Sequence, residues 1–284
     1  MPAIQDLAPA ICQPDDFMPT PAEYHKLNFK IPQEAADYSE CSDFAIAAIR
    51  GIMEDSIKSG NNKILINTNL KLGLPMENIN KVAGPFVEAW AVQAFSEVAA
   101  DEQNRWHLIN VEAKERLYKA DVILQFKKQR KIGESVTAEV DVKATAEDIK
   151  GSGKSPNITS YERIRSAYIE DPDYLFVILS LKHRVYSTRD AKTKMMNGVM
   201  EVVGHNAYDL KFLSSADISY NPALGTGQLQ VRDIHYVTTK RRSTWEFCKL
   251  LDEKYMNSSR RSFGQWLAMA KKSGWIKTDD TPKD

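Results

Sequence analysis

The sequence predicts a mixed α/β fold, with one central mixed β-sheet flanked by helices on both faces. Three observations carry that expectation. Segments of period-2 patterning alternate along the chain with segments of helical period. The apolar run YLFVILSL at 174–181 has the pattern of a strand buried on both sides. With 284 residues, 43% of them hydrophobic, the chain can bury one sizeable core.

The elements follow in order. Residues 1–35 are Pro-rich and irregular (ICQPDDFMPTPAEY) and predict an arm laid over the surface. ECSDFAIAAIRGIMEDSIKSGNN at 40–62 has helical periodicity, a Ser42-Asp43 start signal and a Gly60 stop. After KILINTNLKLGLP, Pro85 opens a second helix, PFVEAWAVQAFSEVAADE. Its stripe of Phe86, Trp90, Phe95 and Val98 is expected to face the core, with Glu88 near its amino-terminal end. Strands come next: WHLINVEAK (106–114), ADVILQF (120–126) and VTAEVDVKA (136–144). The last two flank the polar connection KKQRKIGES with Gly133, which predicts a hairpin. ITSYERIRSAYIED reads as a helix, YLFVILSLKHRVY (174–186) as a long strand and GQLQVRDIHYV (227–237) as another strand. The amphipathic helices STWEFCKLLDEKY and SFGQWLAMAKK close the chain, and no internal repeat or low-complexity segment interrupts it.

Composition narrows the function classes. The longest apolar run is far shorter than the roughly 20 residues that span a bilayer. The start, MPAIQDLAPA, lacks the pattern of a secretory signal. Cys12, Cys41 and Cys248 are isolated, so disulfide scaffolds and zinc fingers are disfavoured and a reducing cytoplasm is expected. His25, His107, His183, His205 and His235 show no metal-ligand spacing. The formal net charge is zero, yet from residue 180 onward 18 Lys and Arg stand against 11 Asp and Glu. That asymmetry fits a polyanion partner and equally a solvated charged surface.

Two rival chemistries meet in TAEVDVKATAEDIKGSGKSPNIT, 137–159. GSGKS at 151–155 matches the second half of a nucleotide-binding phosphate loop. The first glycine of that motif is replaced by Asp148, the feeding segment ATAED is too polar for a buried strand, and Pro156 and Asn157 follow where a helix should run. A nucleotide-binding role is therefore rejected. In EVDVK, residues two apart on a strand share a face, so Glu139, Asp141 and Lys143 point one way and Val140 and Val142 the other. The hairpin can bring Asp121 to Asp141. Two such carboxylates repel unless a divalent cation lies between them, and a hard oxygen site suits Mg²⁺. A neighbouring ammonium offsets charge developing on phosphate, so the set suits phosphodiester hydrolysis. Acid-x-Lys alone is common here: INVEAK at 109–114 is a rival, and a solvent-facing hairpin of alternating charges is the plain alternative.

Beyond the triplet, four blocks in order, AGPFVEAW (83–90), ADVIL with EVDVK, KSPNITSY (154–161) and GQLQVRDIHYV followed by STWEF, resemble type II restriction endonucleases of the PD-(D/E)xK superfamily, most of all the HincII and EcoRV branch. The resemblance implies a restriction-endonuclease-like core. Asp121 and Asp141 would be metal ligands, Lys143 the catalytic lysine and Glu88 a further acid near the metal. Glu139 is not a motif position, and Ala120-Asp121 stands where the family often has Pro-Asp. Lys150 to Thr159 would be the loop entering the DNA groove. Gly151 and Gly153 would allow close approach, and Lys154, Ser155, Asn157 and Thr159 would offer donors and acceptors, Asn157 foremost by pairing with adenine. Lys240, Arg241 and Arg242, with Arg260 and Arg261, would contact the DNA backbone.

The resemblance further implies a single endonuclease domain over 1–284: an N-terminal helical and irregular arm at 1–80, a catalytic core at 81–248 and C-terminal helices at 249–284. The implied activity is Mg²⁺-dependent, sequence-specific hydrolysis of double-stranded DNA that leaves 5′-phosphate ends. Implied partners are a second copy in a homodimer and a companion DNA methyltransferase, with no nucleotide cofactor and no membrane. A repair or junction-resolving nuclease of the same superfamily and a non-catalytic DNA-binding protein are the alternatives.

Overall fold

The computed structural model describes residues 20–113, 120–128, 133–223 and 225–277. Its helices and strands run, in chain order, α1 (Tyr38–Lys58), β1 (Lys63–Ile66), α2 (Met76–Lys81), α3 (Ala83–Ala99), β2 (Leu108–Ala113), β3 (Val122–Lys127), β4 (Ser135–Ala146), β5 (Asn157–Ser160), α4 (Tyr161–Glu170), β6 (Leu175–Arg189), β7 (Met196–Asp209), β8 (Ile218–Asn221), β9 (Gln228–Val231), α5 (Thr244–Met256) and α6 (Phe263–Lys272). The long apolar strand β6 sits inside a six-stranded sheet of order β1-β7-β6-β4-β3-β2. The β4–β6 pair is parallel, and the other neighbours are antiparallel. The period of two divides β6 between two cores. Leu175, Val177, Leu179 and Leu181 join α1, α3, Val140 and Val142. Phe176 and Ile178 face α4, α5, α6 and a smaller sheet of order β5-β9-β8. The expected mixed sheet with helices on both faces is therefore what the chain forms.

Several local expectations are corrected. α1 begins at Tyr38, a turn before the Ser42-Asp43 signal. Ser42 is a fully buried helix residue whose Oγ donates to Asp209 Oδ2 at 2.8 Å, so a tertiary acceptor outweighs its capping preference. Gly60 does stop the helix, with φ +80° just beyond it. On α3 the buried face is Ala83, Val87, Trp90, Ala91, Ala94 and Phe95, while Phe86 is 42% exposed. Asn157–Ser160 is a strand preceding α4 rather than the helix start. β9 covers only four residues of the expected eleven and lies in the small sheet.

β7, the longest partner of β6, has no clear signal in the sequence. Its Gly198 breaks the strand pattern because α2 packs against it: a Cβ there would lie 2.7 Å from Ile79 Cδ1. The first 80 residues are also more than an arm. α1 fills the core and β1 closes one sheet edge. Only the described stretch before α1 behaves as an arm, tied down by Tyr24, whose hydroxyl donates to Asp252 at 2.8 Å. Residues 1–19, and with them Cys12, lie outside the described residues, as does Lys114 of the rival INVEAK.

Candidate active site and nucleic-acid interface

The expected hairpin forms from β3 and β4. Val122 pairs with Val140 and Ile123 with Glu139, which sets Asp121, one residue before β3, beside Asp141. Asp121 is fixed there by both of its ends. Its N–H donates to Val140 O at 3.0 Å, and its Oδ2 accepts from the Val142 N–H at 2.7 Å. Asp141 is 5% exposed, walled in by the parallel partner Ile178. Lys143 Nζ lies 2.7 Å from both Asp141 oxygens, but only its approach to Oδ1 has hydrogen-bond geometry. The buried Oδ2 therefore has a countercharge nearby and no directed donor.

The electrostatics follow from this placement. Burial pushes the Asp141 carboxyl up to about 7; Lys143 opposes that shift, and Asp121 and then Glu88 add to it. Glu88, half-buried on α3, is itself raised, first by burial and then by Asp121. Three acids and one ammonium thus share one end of the sheet. Among the described residues no group of three His, Cys, Asp or Glu side chains forms a ready-made ion cage, so Glu88 stands in electrostatic reach without completing a three-ligand set. The donors nonetheless fit a hard divalent ion. Two oxygen ligands, one with an unclaimed lone-pair face, suit a cation that takes the rest of its shell from water and phosphate. Glu139 shares the face but is occupied elsewhere, accepting from Tyr174 Oη at 2.6 Å.

The family model described as type II restriction endonuclease HpaI matches residues 25–274. The chain belongs to this family of type II restriction endonucleases. The type II restriction enzyme HpaI of Haemophilus parainfluenzae is 51% identical over 255 residues, which are 90% of this chain and 99% of that one. Among solved structures, the NlaIV restriction endonuclease is 14% identical, over 80% of this chain and 86% of its own, with a TM-score of 0.44. At that level it carries no detail of the site. Both sequence matches name HpaI rather than the HincII and EcoRV branch.

In this restriction endonuclease the segment after β4 is tied to the turn that follows β9. Ser155 N donates to Arg232 O at 3.0 Å and Ile234 N to Gly153 O at 2.9 Å. Gly153, at φ +86°, lies so close to the turn that a Cβ would meet His235 Nε2 at 2.7 Å. Lys154 leans toward Asp233 at 3.8 Å but stays 67% exposed. Ser155 and Asn157 are exposed. Thr159, expected at the same surface, is 6% exposed and belongs to the packed interior instead.

The basic clusters divide. Lys240 is exposed, and Arg241 is held by Asp43 at 2.5 Å and lies over the Phe212 ring at 4.3 Å. Arg242 is half-buried with an unpartnered Nη1. All three follow the bridge between Leu213 and Thr239, beside the end of β7, two strands away from β4. Arg261 serves the fold, donating to Tyr220 Oη at 2.9 Å and to the carbonyls of Pro222 and Gly225. Gln230, which bonds to the loop from β9, was not singled out by its sequence context. The alternating pattern of GQLQV was its one signal, since Gln228 and Gln230 fall on the face opposite Leu229.

Proposed function

We propose that this chain is a single-domain, Mg²⁺-dependent endonuclease that cuts double-stranded DNA at a specific sequence and leaves 5′-phosphate ends. The observation that carries the reading is the buried Asp141, raised to about 7 and underserved by donors, beside Asp121 and Lys143 in a chain of the HpaI family. Asp121 and Asp141 hold the cation, with Glu88 as an outlying acid. When bound, Mg²⁺ supplies Lewis acidity toward a phosphate oxygen and lowers the pKa of water. Lys143 orients the attacking water and offsets the charge that grows on the phosphoryl oxygens. Lys154, Ser155 and Asn157 face the groove, while Lys240, Arg241 and Arg242 lie farther off, where backbone contacts position without specifying.

A homodimer suits a palindromic site, with one active centre for each strand. It is supported by the exposed apolar side chains of Leu65, Leu70, Leu72, Met76, Val82 and Phe86 between β1 and α3. A cytoplasmic enzyme of this kind needs a methyltransferase that protects the same site in host DNA. Among the described residues no helix is long and apolar enough to cross a membrane. The test is digestion of plasmid and phage DNA with Mg²⁺, beside EDTA and Lys143→Ala controls. Discrete bands lost in both controls are expected. DNA binding without cleavage would replace this reading with that of a binding protein.

A further inference from the structure

The loop after β4 carries an asparagine whose amide is oriented by a neighbour, and the direction of each bond can be deduced. Gln230 stands directly across from Asn157 in the β5–β9 pair. Its Nε2 lies 3.0 Å from the Ser155 carbonyl oxygen and 3.0 Å from Asn157 Oδ1. A backbone carbonyl only accepts, so the Gln230 atom facing it must be the NH₂ group. The second hydrogen of that NH₂ then requires an acceptor, which makes the facing atom of Asn157 its oxygen. One fixed carbonyl therefore sets two side-chain amides in sequence. Among the described residues nothing accepts from Asn157 Nδ2. The backbone beneath is also pinned: Ser155, at φ +49°, is held by Arg232 O, and Gly153 by Ile234 N.

From this geometry we infer that Gln230 is a specificity-positioning residue, which presents Asn157 to DNA with its NH₂ outward as a hydrogen-bond donor. The inference rests on the proposed role of the loop as a reader of bases. The groups met by such a donor are acceptors on base edges: N7 and O6 of guanine, N7 of adenine or O4 of thymine in the major groove, N3 of adenine or O2 of thymine in the minor groove. The orientation is set before DNA arrives, so no freedom of the amide is lost on binding.

The experiment is single-turnover cleavage of duplexes carrying the mapped site and each single base-pair substitution, with thermal unfolding followed in parallel. The variants are Asn157→Ala, Gln230→Ala and Gln230→Glu. Asn157→Ala should lower discrimination at one base pair on the order of tenfold or more. Gln230→Ala should lower it at the same base pair, because the amide is free to rotate. Gln230→Glu goes further. A carboxylate accepts only, so it loses its bond to the Ser155 carbonyl and can engage Asn157 only through the NH₂ group, which turns the Asn157 oxygen outward. Discrimination at that base pair should fall at least as far as in Gln230→Ala, with any remaining preference for a base presenting a donor there, such as cytosine N4, adenine N6 or guanine N2. A purely structural Gln230 would lower the melting temperature and every rate together, leaving relative preferences unchanged, and that result would overturn the inference. If Asn157→Ala cuts with full discrimination, the loop is not the reader and both readings of it fall, while the nuclease assignment stands.

Discussion

Two buried aspartates in this molecule are treated in opposite ways. Asp252, on α5, is fully buried and surrounded by donors: Arg165 Nε at 3.0 Å and Nη2 at 3.1 Å, Tyr24 Oη at 2.8 Å, Tyr161 Oη at 2.6 Å and Trp266 Nε1 at 3.1 Å. Asp141, on β4, is almost as buried but has Lys143 alone, with Asp121 and Glu88 pressing on it. A buried charge is tolerable when its lone pairs are filled by well-placed donors. Asp252 meets that condition and ties the arm, α4, α5 and α6 into one unit. Asp141 does not, and its carboxyl rises to about 7. Under the proposed function, the free energy left unrecovered at Asp141 is what a bound cation would recover, whereas Asp252 leaves no lone pair for a ligand to fill.

The comparison can be broken most directly at its structural half. Asp252→Ala strands the Arg165 guanidinium in the core and should cost about 3–5 kcal/mol of stability in a urea or thermal melt. A loss under 1 kcal/mol would show that the donor cage does not hold the fold. Lys143→Ala should slow single-turnover cleavage about 10²- to 10³-fold with the melting temperature little changed. Parallel losses of rate and stability would instead make the lysine structural.

The sign itself is tested at Asp141. Its carboxyl titrates near 3.8 when unfolded and at about 7 when folded. The folded, metal-free chain therefore holds a proton that the unfolded chain has released. That contribution to stability is fully present below the unfolded value and is lost as pH rises through the folded one. Asp141→Asn should abolish this slope and stabilise the metal-free protein at neutral pH and above, by on the order of a few kcal/mol at most. Added Mg²⁺ should do the same for the parent chain and not for the variant; an unchanged slope in Asp141→Asn would assign it to other groups. The smallest effect belongs to the exposed Arg241–Asp43 pair, whose side chains are 53% and 61% exposed. Arg241→Ala should change stability by less than about 1 kcal/mol, and a larger change in the same melts would mark that pair as structural.

Much of the β3–β4 hairpin was legible because strand periodicity is local. Once ADVIL and EVDVK are read as adjacent antiparallel strands, the positions of Asp121, Asp141 and Lys143 follow from the pleat alone. The capped helices α5 and α6 were equally plain, each opened by a serine with a capping box. Features set by distant partners were not legible. Ser42 resembles a helix cap and is a core residue because Asp209 accepts its proton. Phe86 belongs to the apolar pattern of α3 and yet lies outside, because the sheet covers Val87, Trp90 and Ala91 instead. β7 carries no plain strand pattern, since its Gly198 answers to packing against Ile79 of α2, which no window of sequence contains.

The sequence by itself determined the mixed architecture, the hairpin and the acid and lysine set it carries, since these depend on side-chain alternation within a few residues of chain. Tertiary structure alone decided which acids are buried without donors, which basic residues are already spent on internal partners, and which way the Asn157 amide faces. Those properties arise from contacts across 73 residues between Gln230 and Asn157 and 87 between Arg165 and Asp252, where solvent exclusion and hydrogen-bond direction act only after the chain has closed on itself.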